Sequence, residues 1–246
     1  MMDNEFDLFY EDELMKIKDR LVKQCTICKG TGLDDDANDC TCYKKYIRYV
    51  KLASSNIPKE YWSLKLDDFK GDKTSLSVVQ RYIDNIEKAY KNGLGLTFLG
   101  PNGRGKTFLS SIILKTAIKK DYSAFFITMA ELIKLIQKGF DESDKIEYYE
   151  RTIKNSQFLC LDNLGSEYRN LHNFGGFIVA EFDILMRFRK SNLLPTLLTT
   201  NLSTDEFKKA YGKSVDSLLQ ASNKKIVVMG DDFRNKIGSK WDTIIK

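Results

Sequence analysis

Apolar residues recur at helical spacing through 3–24, at Leu8, Leu14, Ile17, Leu21 and Val22. Acids (Asp3, Glu5, Asp7, Glu11, Asp12, Glu13) precede bases (Lys16, Lys18, Arg20, Lys23), the order a helix dipole favours. A cysteine-rich stretch from Cys25 to Cys42 follows, then a basic, tyrosine-rich helix from Tyr43 to about Ser54. Asn56–Thr74, with Ile57-Pro58 and Phe69-Lys70-Gly71, reads as a connector. Beyond residue 76 the pattern alternates. Helices are predicted over 77–92, 105–120, 130–137, about 143–154, 177–190 and 204–211, and short apolar strands over 95–99, 123–128, 158–161, 196–200 and 225–229. Apolar strands separated by helices specify an α/β fold whose five-stranded parallel sheet is covered on both faces. The right-handed crossover rule then limits the topology. Three units result: 1–55, a connector 56–75, and the α/β domain 76–246.

With 42% hydrophobic and 30% charged residues, the chain is neither mainly disordered nor fibrous. No apolar run approaches the roughly 18 residues of a membrane span, and the acidic start lacks an export-signal layout. A cytoplasmic protein with no membrane partner is expected. A net charge of +5 permits nucleic-acid contact without requiring it. In a reducing compartment, five cysteines point to metal or core roles.

Gly100-Pro101-Asn102-Gly103-Arg104-Gly105-Lys106-Thr107 fits G-x-x-x-x-G-K-[ST] between a predicted strand and helix, and Phe108 continues it. Its glycines let successive amides face phosphate oxygens, Lys106 reaches the terminal phosphates, and Thr107 ligates Mg²⁺. Phe158-Leu-Cys-Leu-Asp162 is an apolar strand ending in a carboxylate, the Walker B arrangement that helps hold Mg²⁺. Cys160 within it reads as a core residue. Thr199-Thr200-Asn201 ends the next strand, and Gly230-Asp-Asp-Phe-Arg234 follows the last. Asn201 is either a γ-phosphate water-orienting amide or a strand cap; Arg234 is either a nucleotide contact or a surface arginine.

GPNGRGKT, FLCLDNLGSE, PTLLTTNLS and GDDFR, in this order, resemble the AAA+ helicase loaders of the DnaC/DnaI type and the related IstB transposition ATPases, over about 56–238. The resemblance implies an AAA+ P-loop fold without a full helical lid, with ATP and Mg²⁺ as cofactors. It makes Lys106, Asp162, Asn201 (sensor 1) and Arg234 (sensor 2) the catalytic set. Two positions depart from it. Asn163 stands where the family has an acidic residue that polarises water, with Glu167 a possible substitute. Ser217 stands where loaders carry a trans-acting arginine, unless Lys213 or Arg187 acts instead. Slow hydrolysis is therefore expected, with ATP as an assembly switch.

Cys25-x-x-Cys28 and Cys40-x-Cys42 supply four thiolates, enough for a closed tetrahedral Zn²⁺ site, with an Fe–S cluster the chemical alternative. The acidic loop 34–39 lacks a calcium loop's glycine and final carboxylate. Zinc-bearing N-terminal domains in the resembled loaders hold the helicase. Tyr43–Lys51 interleaves bases with tyrosines, suiting either DNA or packing on the zinc knot. By resemblance the segment Lys138–Lys154, with Phe140, Tyr148, Tyr149 and Arg151, contacts single-stranded DNA. Arg187 and Arg189 end a helix, where the dipole favours cations, and the alternative for Arg189 is to sense a neighbouring subunit's nucleotide. His172 is assigned no role. The expected partners are a hexameric replicative helicase, single-stranded DNA and further copies of the chain, in a phage or Gram-positive-type system. The alternatives are a transposition accessory ATPase and a non-hydrolysing helicase adaptor or inhibitor.

Overall fold

A computed structural model describes residues 12–139, 142–166 and 175–232. Helix α1 (12–18) runs into a π turn, Asp19–Lys23, and the cysteine segment leads to α2 (Thr41–Ala53). Then come α3 (Lys73–Asp84), α4 (Ile86–Lys91), β1 (Gly95–Leu99), α5 (Lys106–Lys119), β2 (Ala124–Thr128), α6 (Met129–Gly139) and α7 (Ser143–Tyr148). After a second π turn, Tyr149–Lys154, the chain continues as β3 (Phe158–Leu164), α8 (Gly175–Ser191), β4 (Thr196–Thr200), α9 (Thr204–Ser222) and β5 (Asn223–Val227).

The strands form one parallel sheet in the order β2-β3-β4-β1-β5. Alternate residues feed two cores, as the two-residue period of a strand requires. Phe125, Ile127, Leu159, Leu161 and Leu198 pack with α6, α8 and α9; Leu96, Phe98, Phe126, Phe158, Cys160 and Leu197 pack with α3, α4 and α5. The chain leaves β1 for β2 across two intervening strands, so the carboxyl ends of β1, β3 and β4 open a crevice at the topological switch point.

Several boundaries differ from the sequence expectation for local reasons. Helix α3 begins at Lys73 because Asp72 caps it, accepting from Thr74 N (3.0 Å) and Ser75 N (2.8 Å), and the predicted 77–92 helix breaks at Asn85. Element α9 is two helical segments joined at Gly212, whose φ of 85° and ψ of 161° are non-helical: the first ends at Tyr211 as expected, and a second, unexpected segment runs to Ser222. Strand β5 consequently starts at Asn223.

The connector is folded onto the α/β domain. Ile57 and Phe69 are buried, and Trp62 Nε1 donates to Ile57 O at 2.7 Å. From α5, Lys115 Nζ donates to Tyr61 O (2.6 Å) and Leu64 O (2.5 Å). At the edge of β2, Phe126 N donates to Ser55 O and Asn56 Nδ2 to Phe126 O, at 2.8 and 2.9 Å. Helix α2 is tied down beyond α5, with Arg48 3.4 Å from the Asp121 carboxylate and Lys51 Nζ donating to Asp121 O at 2.7 Å.

The expectation that Arg189 senses a neighbour's nucleotide is corrected here. Arg189 is fully buried, and its guanidinium donates to Thr196 Oγ1 (2.7 Å), Lys154 O (2.9 Å), Ser156 O (2.9 Å) and Pro195 O (2.8 Å). It joins the second π turn to the start of β4 and is unavailable to another chain. Arg189→Met would leave these acceptors unmet and lower unfolding free energy by about 3 kcal/mol. A urea-denaturation midpoint checks this, with Arg189→Lys recovering only part because one ammonium cannot span the fork.

Candidate nucleotide site and cysteine cluster

The loop between β1 and α5 carries the first cluster. Gly105 caps α5 in the left-handed region (φ 86°), with the Phe69 ring so close that a Cβ would strike it at 2.7 Å. At Gly103 (φ 75°) a Cβ would collide with the Asp232 carboxylate, so the segment after β5 lies against the loop. Lys106, 7% exposed, donates from Nζ to Gly100 O, Pro101 O and Asn201 Oδ1, each at 2.7 Å. Thr107 Oγ1 donates to Asp162 Oδ1 at 3.0 Å. Lys106, Thr107, Asp162 and Asn201, far apart in sequence, therefore converge.

Asp162 is 8% exposed, and burial raises its pKa against the opposing effects of Thr199, Thr107 and Lys106. A carboxylate costly to bury, paired with a hydroxyl at a helix start beside one lysine, is a donor set suited to Mg²⁺ with a polyphosphate. Beyond it, Asn163 adopts φ +62°, a left-handed conformation that Asn tolerates better than most residues. Its backbone N donates to Thr199 Oγ1 at 2.8 Å, and its Oδ1 accepts from Asn201 Nδ2 at 3.4 Å. Two amides thus face each other beside the lysine. An amide orients water but takes no proton from it. The part played by Thr199 carries no signature in the sequence, since any apolar strand tolerates a buried threonine.

Of the remaining candidates, Ser217 and Lys213 are exposed on α9. Arg187 is held by Asp183 (2.8 Å) and Ser214 Oγ (2.8 Å). Arg234, Glu167, Phe140 and His172 lie outside the described residues. Tyr149 is buried in the core, and Arg151 pairs with Glu147 at 2.9 Å. Tyr148 instead lines a groove of about 290 Å³ with Lys134, Lys138 and Lys145. On α2, Tyr43 lies against Gly32 of the knot, leaving Lys44, Lys45 and Tyr49 exposed.

The second cluster is the four cysteines, whose sulfurs all lie within 4.8 Å of one another. Cys25 and Cys40 Sγ are 3.9 Å apart, Cys28 and Cys42 Sγ 3.4 Å. Tetrahedral zinc with bonds of about 2.3 Å would set sulfurs about 3.8 Å apart. Gly32 N donates to Cys28 Sγ at 3.3 Å. Burial pushes the Cys28 thiol up, but this N–H, with Gly30 and the neighbouring thiols, brings it down to about 6; burial and those same thiols push Cys42 up to about 12. Four sulfurs gathered at separations close to those of a tetrahedral site are the donor set of a closed structural Zn²⁺. The acidic loop has a different use: Asp34 Oδ1 accepts from Asp36 N (3.1 Å) and Asn38 N (2.9 Å), an Asx turn. One zinc per chain is expected by elemental analysis; Cys28→Ser, or strong chelation, would melt this module, read as early proteolysis near residues 25–42.

Residues 54–239 match the family of IstB-like ATP binding proteins. The replicative helicase loader DnaI of Bacillus subtilis is 27% identical over 190 residues, 74% of this chain and 59% of its own length. The loader DnaC of Escherichia coli is 22% identical over 173 residues, 70% of this chain and 67% of its length. An IS5376 putative ATP-binding protein of Geobacillus stearothermophilus is 31% identical over 120 residues, 49% of this chain and 45% of its length. The chain thus spans roughly half to two thirds of these curated relatives. Among solved structures, the DnaC helicase loader superposes with a TM-score of 0.61 and 28% identity over 70% of this chain and 99% of that one. DnaI (TM-score 0.57, 21% identity, 72% and 94% covered) and DnaA bound to AMPPCP and single-stranded DNA (0.56, 15%, 72% and 52%) share the AAA+ fold. The chain belongs to the IstB-like ATP-binding family, as an AAA+ P-loop protein of the DnaC/DnaI type.

Proposed function

We propose that this chain is a cytoplasmic, ATP-binding loader that delivers a hexameric replicative helicase to single-stranded DNA. The observation carrying this reading over the transposition one is the extent of pairwise similarity to curated relatives, since the IstB-like family model over 54–239 fits both. Loaders align over 74% and 70% of the chain, insertion-sequence proteins over 49%. The cysteine module ahead of the ATPase domain agrees with it. Among the described residues no helix is long and apolar enough to cross a membrane.

In this reading the amides of 102–107 receive the phosphates, and Lys106 exchanges the Gly100 and Pro101 carbonyls for phosphate oxygens. Mg²⁺, when bound, neutralises phosphate charge, with Thr107 and Asp162 holding it. Asn201, released from Lys106, and Asn163 hold water near the γ-phosphate, and Arg234 adds a contact. ATP then acts as the switch that orders an oligomer around DNA, with Lys134, Lys138 and Tyr148 offering cations and a stacking ring, Lys145 being engaged by Glu142 and Asp144. The zinc module holds the helicase.

Tagged protein with ATP and Mg²⁺ should capture the hexameric helicase, and Lys106→Ala should lose the complex. Capture of a transposase instead overturns the reading. Hydrolysis is expected to be slow because Asn163 accepts no proton. Asn163→Asp, which keeps a residue tolerant of the left-handed backbone, should raise kcat about tenfold or more. A wild-type rate matching ordinary AAA+ motors would overturn the slow-switch reading. A second reading, a non-hydrolysing adaptor that captures the helicase, is favoured by Asn163 together with Ser217; capture without any turnover in the presence of DNA supports it.

A further inference from the structure

The register between β3 and β4 shifts between Leu161 and Leu164, so Asp162 and Asn163 lose their pairing with β4 where the chemistry is, while Asp162 stays in register with Thr128 of β2. A bulge of this kind costs Asn163 N its strand partner and leaves Asp162 paired on its β2 side alone. Thr199 Oγ1 fills both needs. It accepts from Asn163 N at 2.8 Å and donates to Asp162 Oδ1 at 2.7 Å, and Thr199 is 1% exposed. The neighbouring Thr200 Oγ1 donates to Leu164 O (2.8 Å) and accepts from Leu202 N (3.1 Å), closing the far side of the bulge.

Resting on the ATP-binding reading above, we propose that Thr199 is a positioning residue for the metal-nucleotide site, fixing the Asp162 carboxylate and the Asn163 turn through one hydroxyl. Asp162 Oδ1 accepts from both Thr107 and Thr199. Thr107 is a candidate metal ligand, and a hydroxyl whose oxygen turns to a cation gives up its present geometry. Thr199 comes from another strand, carries no such competing duty, and keeps the carboxylate aimed whether or not Thr107 stays. A hydrogen bond to a buried carboxylate is among the stronger kind, so its loss should read in metal dependence before nucleotide affinity.

The test compares wild type with Thr199→Val, which keeps shape and removes the hydroxyl, and Thr199→Ser, which returns it. Thr97→Val, another buried strand threonine, is the control. Binding of a fluorescent ATP analogue is titrated with Mg²⁺ and repeated in EDTA. The Mg²⁺ concentration for half-maximal binding should rise about tenfold in Thr199→Val, with affinity in EDTA within about twofold of wild type. Thr199→Ser and Thr97→Val should match wild type. Equal losses in EDTA and Mg²⁺, unchanged Mg²⁺ dependence, or no rescue by serine each overturns the inference. Should the valine variant not fold, Thr199→Cys, a weak donor of similar size, is read the same way. Wild type that binds no nucleotide defeats the ATP reading itself; wild type that binds with Mg²⁺ dependence, unaltered by valine, defeats only the role of Thr199.

Discussion

Burial of the parallel sheet on both faces is the constraint from which the rest follows. Strands β1, β3 and β4 are buried almost throughout, so a charged side chain within them has no water on either side. Polar function is confined to their carboxyl ends, where α5 supplies a positive helix terminus and the loops return. Asp162, Thr199 and Asn201 sit there because that is where such groups are affordable in an otherwise apolar sheet. Cys160, two residues before Asp162 and fully buried, shows the same rule from the other side: its thiol is held neutral by burial.

Helix α5 serves three parts of the molecule. Its first turn carries Lys106 and Thr107, Phe108 of that turn and Lys115 further along hold the connector, and the turn after it, at Asp121, anchors α2. Phe69 of the connector packs on Phe108 with ring centroids 5.7 Å apart and covers Gly105. The cysteine module is therefore not a tethered appendage. Its exit segment runs on to Phe69, which forms part of the wall of the phosphate loop.

What could be read from the sequence divides along physical lines. The strands were legible because a doubly covered strand needs a short apolar run, and the phosphate loop because its chemistry demands glycines and lysine at fixed spacing. The cysteine quartet was legible for the same reason. The connector was not: Ile57-Pro58 and Phe69-Lys70-Gly71 carry turn signals, and nothing local reveals that Lys115, some fifty residues on, holds its carbonyls. Arg189 misled because a basic residue at a helix end satisfies the dipole rule, whereas its four acceptors come from segments distant in sequence. The second segment of α9 was hidden behind Gly212, whose non-helical backbone ends the first segment and reads in sequence as a helix stop. Thr199 belongs to this class too, because its partners are set by a bulge that only pairing with β4 creates.

That bulge also recasts the meaning of Asn163. In a straight strand the residue after Asp162 would point to the opposite face, into the core beside β4. With the register broken, residue 163 takes a left-handed turn and its side chain is exposed, facing Asn201. Left-handed backbone favours Asn among side-chain-bearing residues, so the substitution that removes a proton acceptor also relaxes the turn that aims it. Site geometry and weak basicity come together in one residue. Under the function proposed above, a loop so built would orient water without taking its proton, which suits a nucleotide-held switch and not a motor.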